Sequence, residues 1–164
     1  MVDAYLQVYQ NNGKPEFVLR NFRYFYPTSK IYLVSDNGDD FSDLAKKYRC
    51  FYEHSDYNTG VRNDGFNKEE LKIWLSRFKR CFEYCTNSTV LYLEDDVYVK
   101  GPIFVPDDLT IAGVNVGDTL FPRPVEYLEK KYNIKFPNRM GGACGGALYN
   151  RGLFLYLYNA ILEF

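Results

Sequence analysis

The most constraining feature of the sequence is a continuous apolar run at residues 89–93, TVLYL, in the middle of the chain. A strand with one face in water alternates apolar and polar side chains, so an unbroken apolar run predicts a strand that is buried on both faces. Such strands lie at the centre of mainly parallel sheets, which need helices on both sides. This run therefore predicts an α/β domain.

The rest of the chain alternates between strand and helix patterns. The predicted strands cover residues 2–9, 30–34, 50–53, 89–93 and 109–116. The predicted helices cover residues 15–26, 41–48, 67–85 and 122–132, and an apolar segment fills residues 153–164. No internal repeat and no Pro/Ser-rich linker interrupts this order. We therefore predict a single domain, residues 1–164, with a mainly parallel, Rossmann-like central sheet flanked by helices.

The overall charge and composition exclude several classes of protein. The chain has 164 residues, of which 46% are apolar, so one domain can bury a core of its own. Its 20 Lys and Arg residues are balanced by 21 Asp and Glu residues, which leaves no net field to attract nucleic acid or an anionic membrane. We expect no nucleic-acid partner.

The sequence also bears on the cellular compartment. No stretch approaches the roughly 18 apolar residues of a membrane span, and the first residues lack a signal-peptide pattern. Four dispersed cysteines are too few for a disulfide scaffold, so we interpret them as reduced, mostly buried residues. We therefore expect a cytoplasmic domain with no membrane span in this chain.

Three carboxylates, Glu94, Asp95 and Asp96, follow the apolar run directly. Ligands of open α/β sheets bind at the carboxyl ends of the strands, which is where this cluster is predicted to lie. Strand alternation predicts Glu94 and Asp96 on one side, where they repel unless a cation, a proton or an arginine compensates. Oxygen ligands favour Mg²⁺ or Mn²⁺, which normally bring a phosphate. The alternative is that the acids simply end the strand in solvent.

The sequence around these acids, LYLEDDV, resembles the metal-binding DxD motif of the GT-A family of nucleotide-sugar glycosyltransferases. Three further segments agree with that family: VYQNN after the first strand, VSDNG after the second, and GGACGGALYN downstream. The resemblance spans residue 2 to about residue 155 and depends on the order of these elements. It implies a GT-A-like fold and a hexosyltransferase-type enzyme that moves a sugar, from a UDP-sugar by default, to an acceptor hydroxyl.

The same resemblance implies roles for individual residues. Asp96 matches the main metal ligand, with Mn²⁺ or Mg²⁺ as the cofactor. Glu94 matches a position where Asp is commoner, which leaves open whether it contacts the metal directly or through water. The implied nucleotide-binding residues are Tyr9, Gln10, Asp36 and Asp95. Two alternatives remain open, namely that Asp36 closes an Asx turn on its own backbone and that Tyr9 packs as an ordinary strand residue.

The diphosphate and the donor sugar need partners of their own. Arg62 and Lys72 are the candidates for the diphosphate, although the commoner role of such a residue, and the one the sequence favours for each, is a solvated surface charge. Gly145 and Gly146 permit the close backbone approach that a donor-sugar pocket requires. Gly141 and Gly142 belong to the same glycine-rich stretch, whose alternative interpretation is a tight turn before a strand.

Two other functions fit the predicted architecture. One is a catalytically silent domain that binds nucleotide sugars. The other is a metal-dependent sugar nucleotidyltransferase, although its expected glycine-rich loop after the first strand is replaced here by NNGKP. No GxxxxGK[ST] phosphate-binding loop occurs in the chain. The acceptor expected from the resemblance is a glycan or a glycoprotein.

The last residues prompt one more expectation. The sequence ends at Phe164 within an apolar segment, which would need a covering surface or a continuation. In the inverting enzymes that the chain resembles, an acidic general base follows the Gly-Gly segment, and only Glu163 lies in that stretch here. We therefore expect a donor-binding part that is truncated before the base and before most of the acceptor site.

Overall fold

The computed structural model describes residues 1–58, 68–109, 111–113 and 145–162, together with residues 130 and 133. Within these residues a single sheet contains six strands: β1 Val2–Val8, β2 Ile31–Asp36, β3 Phe51–Ser55, β4 Thr89–Leu93, β5 Ile111–Ala112 and β6 Leu148–Asn150. The same residues form four helices: α1 Lys14–Phe25, α2 Ser42–Tyr48, α3 Lys68–Tyr84 and α4 Arg151–Leu162. The predicted α/β architecture is confirmed.

The strands lie in the order β3-β2-β1-β4-β6-β5. The first four of these are mutually parallel, whereas β6 is antiparallel to both β4 and β5. The chain moves outward from β1 to β3 and then returns to the other side of β1 with β4. The carboxyl ends of β1 and β4 therefore flank the point at which the strand order reverses, where open α/β sheets bind their ligands.

Both faces of the sheet are covered, which explains the apolar run of β4. Alternate residues of β1, including Leu6 and Val8, pack with α1 and α2 on one face. Tyr5 faces the other way and packs with Phe78 of α3, at 4.6 Å between ring centroids, and with Tyr92 of β4 at 5.6 Å. An aromatic layer thus fills the space between the sheet and α3, and it accounts for part of the 18% of residues that are aromatic.

Several elements differ from the sequence prediction. The strand predicted to end at residue 34 continues to Asp36, and a three-residue strand, β6, follows the glycine-rich stretch. The helix predicted over residues 67–85 begins at Lys68, and Leu71 in its first turn is exposed, so the apolar side of α3 contacts the core only beyond that turn. Of the strand predicted over residues 109–116, the structure describes residues 109 and 111–113, which include β5, and most of the predicted helix 122–132 lies outside the described residues.

In the stretches that the structure describes, none of the helices is both long enough and apolar enough to cross a membrane.

At the amino-terminal edge of the sheet, the buried Asp3 carboxylate joins three parts of the chain. Its Oδ1 accepts hydrogen bonds from the Lys30 backbone at 2.8 Å and from Asn87 Nδ2 at 2.7 Å. Its Oδ2 accepts the backbone N–H groups of Thr86 and Asn87, both at 2.8 Å. Because it bonds four donors, Asp3 fastens the end of α3 and the start of β2 to β1.

We expect Asp3→Ala to lower the free energy of unfolding by about 3 kcal/mol, because several donors lose a charged partner away from water. Urea unfolding of the whole chain measures this. Asp43→Ala, which removes an exposed carboxylate on α2, is the control and is expected to change little. Equal unfolding midpoints for the two variants would contradict the assignment.

Candidate functional site

A cleft of about 320 Å³ lies at the carboxyl ends of β1, β2 and β4, and we call it the central cleft. Its volume is at the lower end of the range of about 300–1,000 Å³ that small-molecule sites occupy. Its lining includes Gln7, Tyr9, Asp36, Asn58, Glu94, Asp95 and Asp96. Parallel strands end at one edge of a sheet, so this edge brings together five of the residues that the sequence singled out, namely Tyr9, Asp36, Glu94, Asp95 and Asp96.

The three acids form a turn rather than an extension of β4. The strand ends at Leu93, and the Val97 N–H donates to the Glu94 carbonyl oxygen at 3.2 Å. The strand alternation expected for these residues is therefore wrong, because turn geometry places Glu94, Asp95 and Asp96 along the same cleft. Asp96 is exposed, whereas Glu94 and Asp95 are half-buried. We call residues 94–97 the acidic turn.

Carboxylate oxygens of the acidic turn are the type of ligand that Mg²⁺ and Mn²⁺ prefer. Among the residues that the structure describes, no group of three or more Asp, Glu, His or Cys side chains is arranged to hold a metal ion. Mg²⁺ is usually held by one or two carboxylates together with substrate phosphates. Glu94 and Asp96, the acids that the sequence analysis assigns to the metal, have the oxygen ligands that such an incomplete set needs, and metal binding by them stays a prediction.

Gly145 and Gly146 lie beside the acidic turn because β6 runs back along β4. A Cβ atom at residue 145 would lie 2.5 Å from Val97 Cγ2 and 2.8 Å from Glu94 Oε2. The Gly146 N–H donates to the Tyr92 carbonyl oxygen at 2.7 Å. Burial raises the pKa of Tyr92 well above its usual range, and the adjacent Glu94 carboxylate raises it further. The close approach of Val97 and Glu94 explains why residue 145 is glycine. Contact of Gly145 or Gly146 with a donor sugar stays a prediction.

Asp36 is buried at the end of β2 and lies within a polar network. Its Oδ1 pairs with Arg77 Nη1 of α3 at 2.5 Å, and its Oδ2 accepts a hydrogen bond from Gln7 Nε2 at 3.0 Å. The Tyr5 hydroxyl donates to Gln7 Oε1 at 2.9 Å. Arg77, only 1% exposed, also donates to Ser55 Oγ and to the Tyr57 carbonyl oxygen. The network fixes the Asp36 carboxylate at the wall of the cleft.

The turn after β2 is stabilised by the residue before Asp36. Ser35 Oγ donates to the Asp39 carbonyl oxygen at 2.7 Å and accepts the Gly38 N–H at 3.3 Å. These bonds perform the role that the Asx-turn interpretation gave to Asp36. Whether Asp36 recognises a nucleoside stays a prediction.

Tyr9 and Gln10 follow the last residue of β1, and both are exposed. The Asp39 N–H donates to the Tyr9 carbonyl oxygen at 2.9 Å, which joins the turns after β1 and β2. This approach requires glycine at residue 38, because a Cβ there would overlap the Tyr9 backbone. Tyr9 therefore does not pack as an ordinary strand residue, and its ring is accessible at the rim of the central cleft.

Of the two basic residues predicted for the diphosphate, the structure describes Lys72 alone. Lys72 pairs with Glu69, one turn earlier on α3, at 2.8 Å and is absent from the described lining of the cleft. Arg62, Gly141 and Gly142 lie outside the described residues. Their roles stay predictions.

The sequence analysis missed Arg77 and Gln7. Arg77 lies three residues after Trp74 and four before Cys81, so it occupies the core-facing stripe of α3. A charged residue in such a stripe needs a buried partner, and that was the available signal. The partner itself is distant in sequence, so the helix pattern alone does not identify it.

A scan against protein-family models finds no match for this chain. A search of curated proteins finds no relative either. Function is therefore inferred from the residues of the central cleft and their surroundings.

We expect Arg77→Met to lower the free energy of unfolding by about 3–5 kcal/mol, because it leaves the Asp36 carboxylate buried beside an apolar side chain. Arg77→Met combined with Asp36→Asn is expected to recover part of that loss, since the uncompensated charge is then removed. Guanidinium chloride unfolding of both variants measures the difference.

The matched control is Arg80→Met, one turn further along α3, where Arg80 pairs with Glu53 near the surface at 2.5 Å. Surface pairs contribute about 0–1 kcal/mol, so this change is expected to be small. If Arg77→Met destabilises no more than Arg80→Met, the buried pair does not hold α3 to the sheet.

Proposed function

We propose that this protein is a metal-dependent glycosyltransferase of the GT-A type that moves a sugar from a nucleotide-diphosphate sugar to an acceptor hydroxyl. One observation carries the proposal: the acidic turn, Asp36 and Tyr9 line a single cleft where the strand order reverses. A nucleotide sugar presents a flat base, a ribose and a charged diphosphate, and the cleft has groups suited to each. The uridine nucleotide is the default from the sequence resemblance.

The nucleoside would occupy the part of the cleft near β1 and β2. Asp36, held in place by Arg77 and Gln7, would accept a hydrogen bond from a base N–H or a ribose hydroxyl. The accessible Tyr9 ring would provide a stacking surface for the base, with Gln10 beside it. A preorganised acceptor favours binding because little side-chain freedom remains to be lost.

The diphosphate would lie against the acidic turn, where its negative charge and the three carboxylates would repel each other without a cation. Asp96 is the residue that would hold Mn²⁺ or Mg²⁺, with Glu94 either a further ligand or a partner through water, and Asp95 would lie near the ribose or the sugar. A divalent ion bound there would neutralise the charge that develops on the departing diphosphate. Arg62 and Lys72 remain candidates for additional phosphate contacts.

The sugar end of the donor would extend toward Gly145 and Gly146, which lie next to Glu94. The acceptor would be a hydroxyl of a glycan or a glycoprotein. Inverting transfer needs a carboxylate that removes the acceptor proton, whereas retaining transfer has no such requirement at the same place.

The central test is calorimetric titration of UDP-glucose into the whole chain with and without Mn²⁺. We expect binding that depends on Mn²⁺ and that weakens at least about tenfold, or ~1.4 kcal/mol, in Asp96→Asn. The unfolding temperature without ligand should change little, because Asp96 is exposed. Asp107→Asn, which changes an exposed acid that is not among the described residues of the cleft, is the matched control.

Unchanged Mn²⁺-dependent binding in Asp96→Asn would contradict the metal assignment, and absence of any nucleotide binding would contradict the proposal. Product analysis separates the alternatives. Release of free UDP from the UDP-sugar supports a transferase, whereas binding without release indicates a silent binding domain. Release of pyrophosphate from UTP and a sugar 1-phosphate indicates a nucleotidyltransferase.

A further inference from the structure

A second cleft, of about 360 Å³, lies between the acidic turn and the start of α1, and we call it the α1 cleft. Asp95 and Asp96 line both clefts, so the two meet at the acidic turn. The other residues used below are Asn12, Lys14, Phe17 and Tyr98. None of these four belongs to the proposed donor site.

Two aromatic rings form one wall of the α1 cleft. Phe17 of α1 and Tyr98 lie edge to face, with 5.7 Å between ring centroids and 80° between ring planes. Their side chains are 45% and 50% exposed, respectively. The guanidinium of Arg20 lies 5.7 Å from the Phe17 ring centroid and leaves that ring half accessible. Aromatic surface of this extent facing a cleft is available to an apolar ligand face.

Hydrogen bonds from α1 hold the backbone next to the aromatic wall. Asn21 lies one turn after Phe17, and its Nδ2 donates to the Val99 carbonyl oxygen at 2.9 Å while its Oδ1 accepts the Val99 N–H at 2.7 Å. Further along, the Ile103 N–H donates to the Tyr26 hydroxyl at 2.6 Å. These bonds fasten the segment after the acidic turn along α1. The backbone that carries Tyr98 is therefore positioned along α1 before any ligand binds, which lowers the entropic cost of binding.

The rim of the α1 cleft is polar. Asp95 and Asp96 supply hydrogen-bond acceptors, and the exposed Lys14 side chain supplies a donor. The Asn12 Oδ1 accepts the Lys14 backbone N–H at 3.2 Å, which orients the Asn12 amide at the start of α1. A sugar ring matches this arrangement, because its C–H face is apolar and its edge bears hydroxyl groups.

We propose that the α1 cleft binds the acceptor saccharide, with one sugar ring against Phe17 and Tyr98 and its hydroxyls bonded by Asn12, Lys14 and Asp95. This assignment rests on the proposed function, since an acceptor has meaning only beside a donor. The shared acidic turn is what connects the two sites. A donor in the central cleft and a saccharide in the α1 cleft would approach the turn from its two sides.

The test is saturation-transfer NMR on the whole chain with diamagnetic Mg²⁺, UDP and a panel of methyl glycosides of glucose, galactose, mannose, xylose and N-acetylglucosamine. We expect saturation of the ring C–H protons of at least one glycoside. Phe17→Ala and Tyr98→Ala should each raise its Kd about tenfold, while the Kd for UDP stays within about twofold. The matched control is Tyr24→Ala, which removes an 80% exposed ring two turns further along α1.

The proposal is overturned if no glycoside receives saturation, or if Tyr24→Ala weakens binding as much as Phe17→Ala does. A wrong proposed function would give a different experimental result. If UDP does not bind but glycoside binding still depends on Phe17 and Tyr98, both the donor site and the acceptor role are wrong. The α1 cleft is then a saccharide-binding site without a role in transfer. If UDP binds and no variant affects a glycoside, only the present proposal fails.

Discussion

The buried ion pair between Arg77 and Asp36 is the interaction on which the candidate site most depends. A buried pair of opposite charges is stable only when further hydrogen bonds satisfy its remaining donors and acceptors. Gln7 bonds the carboxylate, and Ser55 and the Tyr57 carbonyl oxygen accept from the guanidinium. The pair thereby joins α3 to the chain at the ends of β2 and β3, and it sets one wall of the central cleft.

At the opposite edge of the sheet, the Asp3 carboxylate also fastens α3 to the strands. It bonds the backbone directly after α3 and the residue before β2, where backbone groups would otherwise lose their partners. Between these two anchors, the aromatic layer of Tyr5, Phe78 and Tyr92 fills the space under α3. Polar contacts thus fix where α3 sits, and apolar contacts supply most of the burial.

Sequence patterns predicted the parts of the structure that depend on local periodicity. The strand β4 has the bounds predicted from its apolar run. Because parallel strands end at a common edge, Tyr9, Asp36 and the acids of residues 94–96 lie close together. The acidic turn was not predicted, because alternation ends where the strand ends. β6 is too short to show a period. The pairing of Arg77 with Asp36 and that of Phe17 with Tyr98 join distant segments, which a local pattern does not reveal.

Hydrogen–deuterium exchange of the whole chain, with and without UDP and Mn²⁺, tests the location of the site most directly. Bound ligand slows exchange of amides that it covers or whose local opening it suppresses. We predict slower exchange in residues 36–39 and 94–97, which border the central cleft, and little change in α2. Slower exchange confined to other segments, with these two unchanged, would mean that the nucleotide does not bind in the central cleft.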